Sequence, residues 1–220
     1  MGYFPLFFDL SNKTVLIAGG GKVAERKLRT LMEFSASVLL VSPDATPEIL
    51  RLASSGKIRY VKRKYHSEDM IKTSLAVAAT GDRQVNIKIH QDAVSAGIPV
   101  NVVDDPELCT FIFPAIVKRD DFVAGITTSG SYPALSKYAR EKMEIAFPKE
   151  YETVMAILKG YRLTVRKEID DIRQRKMILE KLLQAAVSPA DENGFCKEAL
   201  KLRLDQEYDR LKTALGVKGS

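Results

Sequence analysis

An α/β fold is predicted for this chain, with a parallel sheet in the first half and helices in the last third. Three observations carry that expectation. Across residues 14–103, short apolar runs alternate with helix-like segments, the pattern of βαβ units. Most of those runs are apolar without alternation, as in strands covered on both faces. Across residues 150–187 helix formers dominate and Gly160 is the single glycine, so the chain should turn helical there.

Taken in order, the apolar opening MGYFPLFFDL lacks a basic leader and a long apolar stretch, and is expected as an edge element packed on the core. Strands follow at TVLIA (14–18), SVLLV (37–41), KIRYV (57–61), LAVAA (75–79) and IPVNVV (98–103). Between them, residues 23–34, 47–54 and 83–96 place apolar side chains at helical spacing with Gly, Pro or Ser at their ends. After Pro106 the texture changes. FIFPAIVKRDDFVAGI reads as two strands folded back about Lys118-Arg119-Asp120-Asp121, a hairpin, and a helix follows over residues 133–146. A break in the helical last third is expected at SPADENG, residues 188–194. The changes of character near 113 and 147 divide the chain into residues 1–113, 114–147 and 148–220.

The 220 residues suit one large domain, or a medium one with an appendage. Hydrophobic residues at 45% and charged residues at 28% exclude disorder and a disulfide-stapled miniprotein. A formal charge of +6 and a pI near 9.2 suit a polyanionic partner: nucleic acid, a phosphorylated cofactor or a polycarboxylate. Clusters such as Arg173-Gln174-Arg175-Lys176 read as a solvated helix face. Cys109 and Cys196 are too few for a disulfide framework and lack the spacing of a zinc site, which points to a reducing cytoplasm. No stretch approaches the roughly 18 apolar residues of a membrane span. Basic and aromatic residues do not interleave as in an RNA-binding motif. Neither a membrane nor a nucleic acid is therefore expected as a partner.

The chemistry begins at Gly19-Gly20-Gly21-Lys22-Val23-Ala24, which follows TVLIA and opens a helical segment. Gly19, Gly21 and Ala24 match the G-x-G-x-x-G/A dinucleotide fingerprint in the required strand–turn–helix context. Gly19 allows the tight turn, Gly21 lets backbone N–H groups approach a pyrophosphate, and Ala24 lets helix and strand pack closely. The acidic residue that usually ends the second strand is missing, because that strand ends Val41-Ser42-Pro43-Asp44. Asp44, displaced past Pro43, is the candidate for the ribose hydroxyls, with Ser42 as a hydrogen-bonding neighbour. No basic residue lies between 41 and 50 to receive a 2′-phosphate, which favours NAD over NADP.

GGGKVAERKLRTLMEFSASVLLVSP, AVAATGDRQVN and PVNVVDDPELCTFIFPAIVKRDDFVAGITTSGSYPALSKYAREKME, in that order, resemble the precorrin-2 dehydrogenase family over about residues 4–146. The resemblance implies an NAD-dependent enzyme that forms sirohydrochlorin from the tetrapyrrole precorrin-2, and in some members also inserts iron. It implies a Rossmann-like sheet domain (1–113), a dimerisation region (114–147) and an all-helical C-terminal domain (148–220) in a homodimer. It further implies cofactor contacts at Lys22, Val23, Pro43 and Asp44, with Ala79 and Thr80 at the cofactor crevice. In 220 residues the methyltransferase domain fused in some longer members has no room, so methylation is expected from another protein.

The family's aspartate linked to dehydrogenation falls on Asp104, just past the strand ending at Val103. A strand would point Asp104 and Asp105 to opposite faces, leaving Asp105 as a capping carboxylate of a turn at Pro106. Thr128, Ser129 and Gly130 fall on the family's Ser-rich turn, which offers hydroxyls and N–H groups to a substrate carboxylate. Ser129 or Ser131 could equally be a plain helix N-cap. His66 reads as part of a polar helix start, His90 sits in a helical segment, and Cys109 reads as a buried small hydrophobe; none has partners at metal spacing, and no bound metal is expected. A second class of function, an NAD-sensing module that regulates a partner without turnover, is separated from the first by turnover against binding alone.

Overall fold

The computed structural model describes residues 2–187 and 195–216; the break expected over 188–194 lies outside the described residues. Two compact units divide the chain, residues 1–113 with 129–131, and residues 114–128 with 132–220.

The first unit is a five-stranded parallel sheet, β1 (Thr14–Ala18), β2 (Ser37–Val41), β3 (Arg59–Val61), β4 (Thr73–Ala78) and β5 (Val100–Val102), in the order β3-β2-β1-β4-β5. The order reverses at β1, between β2 and β4, which is the switch point where open α/β sheets bind ligands. Register runs Ala18 to Val41 on one side of β1 and Ala18 to Ala78 on the other, and Val41 pairs with Val61. Helices α1 (Lys22–Met32), α2 (Pro47–Ser54) and α3 (Arg83–Ser95) connect the strands.

The continuous apolar runs are explained by two cores. Val15 and Ile17 of β1 pack with Leu40, Val77 and, from α1 and α2, Leu28 and Ile49. Their neighbours Leu16 and Ala18 point the other way, packing with Ala76, Val100 and Ile89 of α3. The period-two alternation of a strand thus feeds two buried faces instead of one buried and one wet face.

Several boundaries shift. The third strand is three residues long, since Ile58, read as part of it, instead packs into the first core. The fifth is confined to Val100–Val102 because the chain turns immediately afterwards. The opening segment, expected to pack on the core, does not: Phe4, Leu6, Phe7 and Phe8 are exposed, and among its described residues Leu10 alone is buried in the first core.

In the second unit, β6 (Ala115–Arg119) and β7 (Phe122–Ile126) form the expected antiparallel hairpin, turning at Asp120 with φ 52°. Helix α4 (Pro133–Ala146) follows. Phe147 after it stacks on Phe122 at 4.6 Å, while the Phe147 carbonyl accepts from Arg119 Nε at 2.8 Å. Helices α5 (Tyr151–Glu168), α6 (Ile172–Val187) and α7 (Lys197–Ala214) share a third core built on Val165, Ile178, Leu182, Leu204 and Tyr208. Arg175, read as solvated, caps the end of α5 by donating to the Ile169 and Asp170 carbonyls.

Candidate functional site

A cavity of about 530 Å³ opens at the carboxyl ends of β1, β2 and β4. Three loops wall it: Gly19-Gly20-Gly21 after β1, Ser42-Pro43-Asp44-Ala45-Thr46 after β2, and Ala79-Thr80-Gly81-Asp82 after β4. Val41, Lys64, Tyr65 and Val85 complete the wall.

The three glycines differ in what they permit. Gly19 sits at φ +120°, and a Cβ there would lie 2.2 Å from the Ala79 carbonyl oxygen. A Cβ on Gly20 would lie 2.0 Å from the Asp44 carbonyl oxygen. These two let the loops close on one another backbone to backbone, and the Gly19 N–H donates to Val41 O at 2.9 Å. A Cβ on Gly21 would meet nothing within 4 Å, so this glycine leaves open space at the cavity wall. Gly21 also N-caps α1 and brings no capping side chain. The first intrahelical bond runs from Glu25 N–H to Gly21 O, so the N–H groups of Lys22 and Val23 have no acceptor within the helix. That end of the helix favours an anion.

Hydrogen bonds brace each loop. Thr46 caps α2 by accepting from Ile49 N–H, and its Oγ1 donates to Glu25 Oε2 at 2.7 Å. Glu25, buried in the first turn of α1, also meets Arg29 at 3.2 Å and Lys22 at 3.4 Å. The Thr46 hydroxyl, against opposition from burial and with help from Arg29, holds the Glu25 carboxyl below its usual range. On the β4 side, buried Asn86 accepts from Thr80 Oγ1 at 2.7 Å and donates to Thr80 O at 3.1 Å, fixing that turn. Tyr65 is buried, with its hydroxyl donating to Asp92 of α3 at 2.8 Å; burial first, and Asp92 second, push its phenol far above the usual range.

Of the residues that the sequence reading singled out for a cofactor, Gly19, Gly21, Ser42, Pro43, Asp44, Ala79 and Thr80 wall this cavity. Lys22 and Val23 do not; the Lys22 side chain is turned to solvent and to Glu25, which leaves both residues a main-chain contribution. Gly20, Thr46, Asp82, Lys64, Tyr65 and Val85 were not singled out. Thr46-Pro47 and Asp82 carry a legible signal, a helix N-cap, and Asp82 does accept from Gln84 N–H at 2.9 Å. Lys64 and Tyr65 carry none, because what brings them to the cavity is the pairing of β3 with β2.

Asp104 lies outside any strand, exposed, with φ 61°. The expectation that strand alternation separates Asp104 from Asp105 therefore fails, because β5 ends at Val102 and the chain turns left-handed at Asp104. Aspartate tolerates that conformation better than most side chains. The turn is pinned from both sides. Asp105 was expected to cap the turn at Pro106, but its carboxylate pairs instead with Arg83 at 3.2 Å and gives no side-chain cap to the short helical turn at Pro106–Leu108. The Cys109 sulfur lies 3.2 Å from both Val102 N and Val102 O and 3.4 Å from Asp105 O, a half-buried polar clasp in place of an inert hydrophobe. Burial pushes its thiol up.

Thr128 Oγ1 accepts from Tyr132 N–H at 3.2 Å and lies 3.2 Å from Ser136 Oγ. Ser129 and Gly130 are consecutive left-handed residues, at φ 55° and 83°. Helix α4 starts at Tyr132 without a side-chain cap, so neither Ser129 nor Ser131 is its N-cap. His66 precedes the short helical turn Ser67–Met70 and donates its N–H to Asp69 at 2.9 Å; His90 Nδ1 lies 2.8 Å from Leu108 O. Among the described residues no group of three or more His, Cys, Asp or Glu could hold a metal ion.

A switch-point cavity walled by a glycine turn and an uncapped helix N-terminus defines a dinucleotide-binding α/β domain. Residues 6–115 match the family described as "Putative NAD(P)-binding", and the chain belongs to that family. Across most of its length the chain is similar to siroheme synthases. It is 35% identical over 216 residues to the "Siroheme synthase" of Stutzerimonas stutzeri (strain A1501), covering 98% of this chain and 46% of that one. It is 40% identical over 185 residues to "Siroheme synthase 1" of Aeromonas salmonicida (strain A449), covering 84% of this chain and 40% of that one. The chain thus spans less than half the length of these relatives. Among solved structures it resembles "SirC, precorrin-2 dehydrogenase" with a TM-score of 0.73 at 20% identity, over 96% of this chain and 100% of that one. At that identity the likeness is one of fold.

Proposed function

We propose that this chain is an NAD-dependent dehydrogenase that oxidises precorrin-2 to sirohydrochlorin. The observation that carries the reading is the cavity at the switch point, with its uncapped α1 N-terminus and the space that Gly21 leaves beside it. The similarity to siroheme synthases supplies the substrate class.

The residues fit a dinucleotide. The N–H groups at the start of α1 suit a pyrophosphate, and the exposed Asp44 carboxylate suits ribose hydroxyls. Bound NAD supplies the hydride acceptor. The proton removed with the hydride goes to Asp104, whose carboxylate stands at the carboxyl edge of the same sheet, two residues beyond β5. Its left-handed turn, clasped by Cys109 and by the Asp105–Arg83 pair, fixes the main chain from which that exposed carboxylate projects. Thr128, Ser129 and Gly130 receive carboxylates of the tetrapyrrole.

The active form is a homodimer in the cytoplasm, with residues 114–147 as the dimerisation region. Helix α4 buries none of its residues, and Tyr132, Leu135, Tyr138 and Ile145 are exposed on or beside it. No helix among the described residues is long and apolar enough to cross a membrane.

The test is turnover. Purified protein with precorrin-2 and NAD+ should yield sirohydrochlorin, followed by absorbance, with one NADH per product. Binding of NAD+ without NADH-coupled conversion would favour a nucleotide-sensing module instead.

A further inference from the structure

We propose that Lys64 is the residue that admits a 2′-phosphate, so that the site accepts NADP as well as NAD. The proposal rests on the dinucleotide reading above and names a specificity residue within it.

The argument starts from register. Val41 of β2 pairs with Val61 of β3, and the strands run parallel. Asp44 and Lys64 each lie three residues beyond one member of that pair, so the two chains leave the sheet side by side, and both residues wall the cavity. The Ser42 N–H donates to Val61 O at 3.2 Å, and the Tyr60 hydroxyl donates to Ser42 O at 3.0 Å, which ties the two exits together. In this fold the end of β2 is where the adenosine ribose sits. A cation arriving from the strand beside β2 therefore arrives on the ribose side, away from the β4 and β5 ends.

The backbone that carries Lys64 is fixed on both sides. Arg63 makes two bonds to Asp69, at 2.8 and 2.6 Å, and also donates to Lys64 O at 2.9 Å. Tyr65 is buried with its hydroxyl on Asp92. Between these anchors the Lys64 side chain is exposed and forms no ion pair among the described residues, neither with Asp44 nor with any other carboxylate. Three lysines of the same unit are engaged, Lys22 with Glu25, Lys88 with Asp92 and Lys27 over the Phe113 ring, and none of these three walls the cavity. The clamped main chain fixes the point from which an uncommitted ammonium reaches the cavity wall, while the flexible side chain itself is ordered only when an anion binds.

Charge decides the rest. Asp44 alone would accept ribose hydroxyls and repel a phosphate placed on them. Lys64 on the neighbouring exit supplies the opposite charge, so the pair accommodates either a diol or a phosphate ester. The window between 41 and 50 contains no cation for this purpose. The cation comes instead from the adjacent strand.

The experiment titrates NAD+ and NADP+ separately into the purified full chain and into Lys64→Glu, Lys64→Ala and Lys62→Glu, each first checked for an unchanged melting temperature. The wild-type protein should bind NADP+ within about tenfold of NAD+. In Lys64→Glu the affinity for NADP+ relative to NAD+ should fall about tenfold or more, with Lys64→Ala intermediate. Lys62→Glu, the same charge change on an exposed residue outside the cavity wall, should leave that ratio unchanged. Wild-type protein that binds NAD+ but not NADP+ overturns the proposal while leaving the dinucleotide site standing, as does a ratio that Lys64→Glu does not move or that Lys62→Glu moves equally. Failure of the wild type to bind either nucleotide overturns both readings.

Discussion

In the parallel-sheet unit, the inner strands β1 and β4 are sealed on both faces, and even backbone meets backbone where Gly19 and Gly20 bring three loops together. In the hairpin and α4, Val117 is the one buried strand residue, and the helix buries nothing. A two-stranded hairpin is marginal by itself. The inner strands hide their apolar side chains within one chain, whereas the second region leaves Tyr132, Leu135, Tyr138 and Ile145 in water. One region is finished by folding; the other is finished by a second copy, on the function proposed here.

The sharpest way to break this contrast is inside the glycine turn. Gly20→Ala puts a methyl 2.0 Å from Asp44 O, and should cost about 3 kcal/mol of stability or more, seen as an early urea transition. Gly21→Ala meets no protein atom and should unfold with the wild type, yet weaken NAD+ binding by about tenfold or more in calorimetry. If both variants behaved alike, the division between closing glycines and an opening glycine would be wrong.

The unfinished region is tested by Leu135→Glu. Charging the exposed face of α4 should convert dimer to monomer in light scattering while leaving the sheet unit's circular dichroism intact. A variant that stayed dimeric would move the interface elsewhere.

A smaller effect is expected at Thr46→Val, which removes the hydroxyl bonded to Glu25. Because that bond lowers the carboxyl's folded pKa, its contribution is present above the unfolded value near 4.5 and is lost as pH falls through the folded value. The wild type should therefore melt a few degrees above the variant at pH 7, and the gap should narrow in acid to the part that comes from the lost α2 cap.

A further effect, confined to alkaline pH, concerns Lys27, half-buried over the Phe113 ring at 3.7 Å and pushed down to about 8 by burial, with Arg26 adding to the shift. Between about 8 and 10.5 the unfolded chain holds the proton and the folded chain does not, so stability should rise with pH across that window. Lys27→Met should flatten the rise; an identical slope would remove Lys27 as its source.

The same contrast governs what could be read in advance. The sheet unit was legible because each strand is a short apolar run and each helix has a periodic face, which are local signals. The glycine turn was legible for the same reason, as a motif confined to six residues. Gly20 was passed over because its constraint is the Asp44 carbonyl, distant in sequence. Lys64 and Tyr65 were passed over because register between β2 and β3 brings them to the wall. The opening segment misled because Phe4, Leu6, Phe7 and Phe8 look like core, and apolar composition does not say what will cover it. Asp104 misled in geometry, since nothing local announces that β5 stops at Val102 and turns left-handed.

The most direct test of the central claim, that the nucleotide is held by the glycine turn while Asp104 takes the proton, is single turnover of precorrin-2 with saturating NAD+ in Asp104→Asn beside the wild type. The account predicts a rate lower by about 10²–10⁴-fold with the NAD+ affinity unchanged. A variant that turned over at the wild-type rate would contradict it.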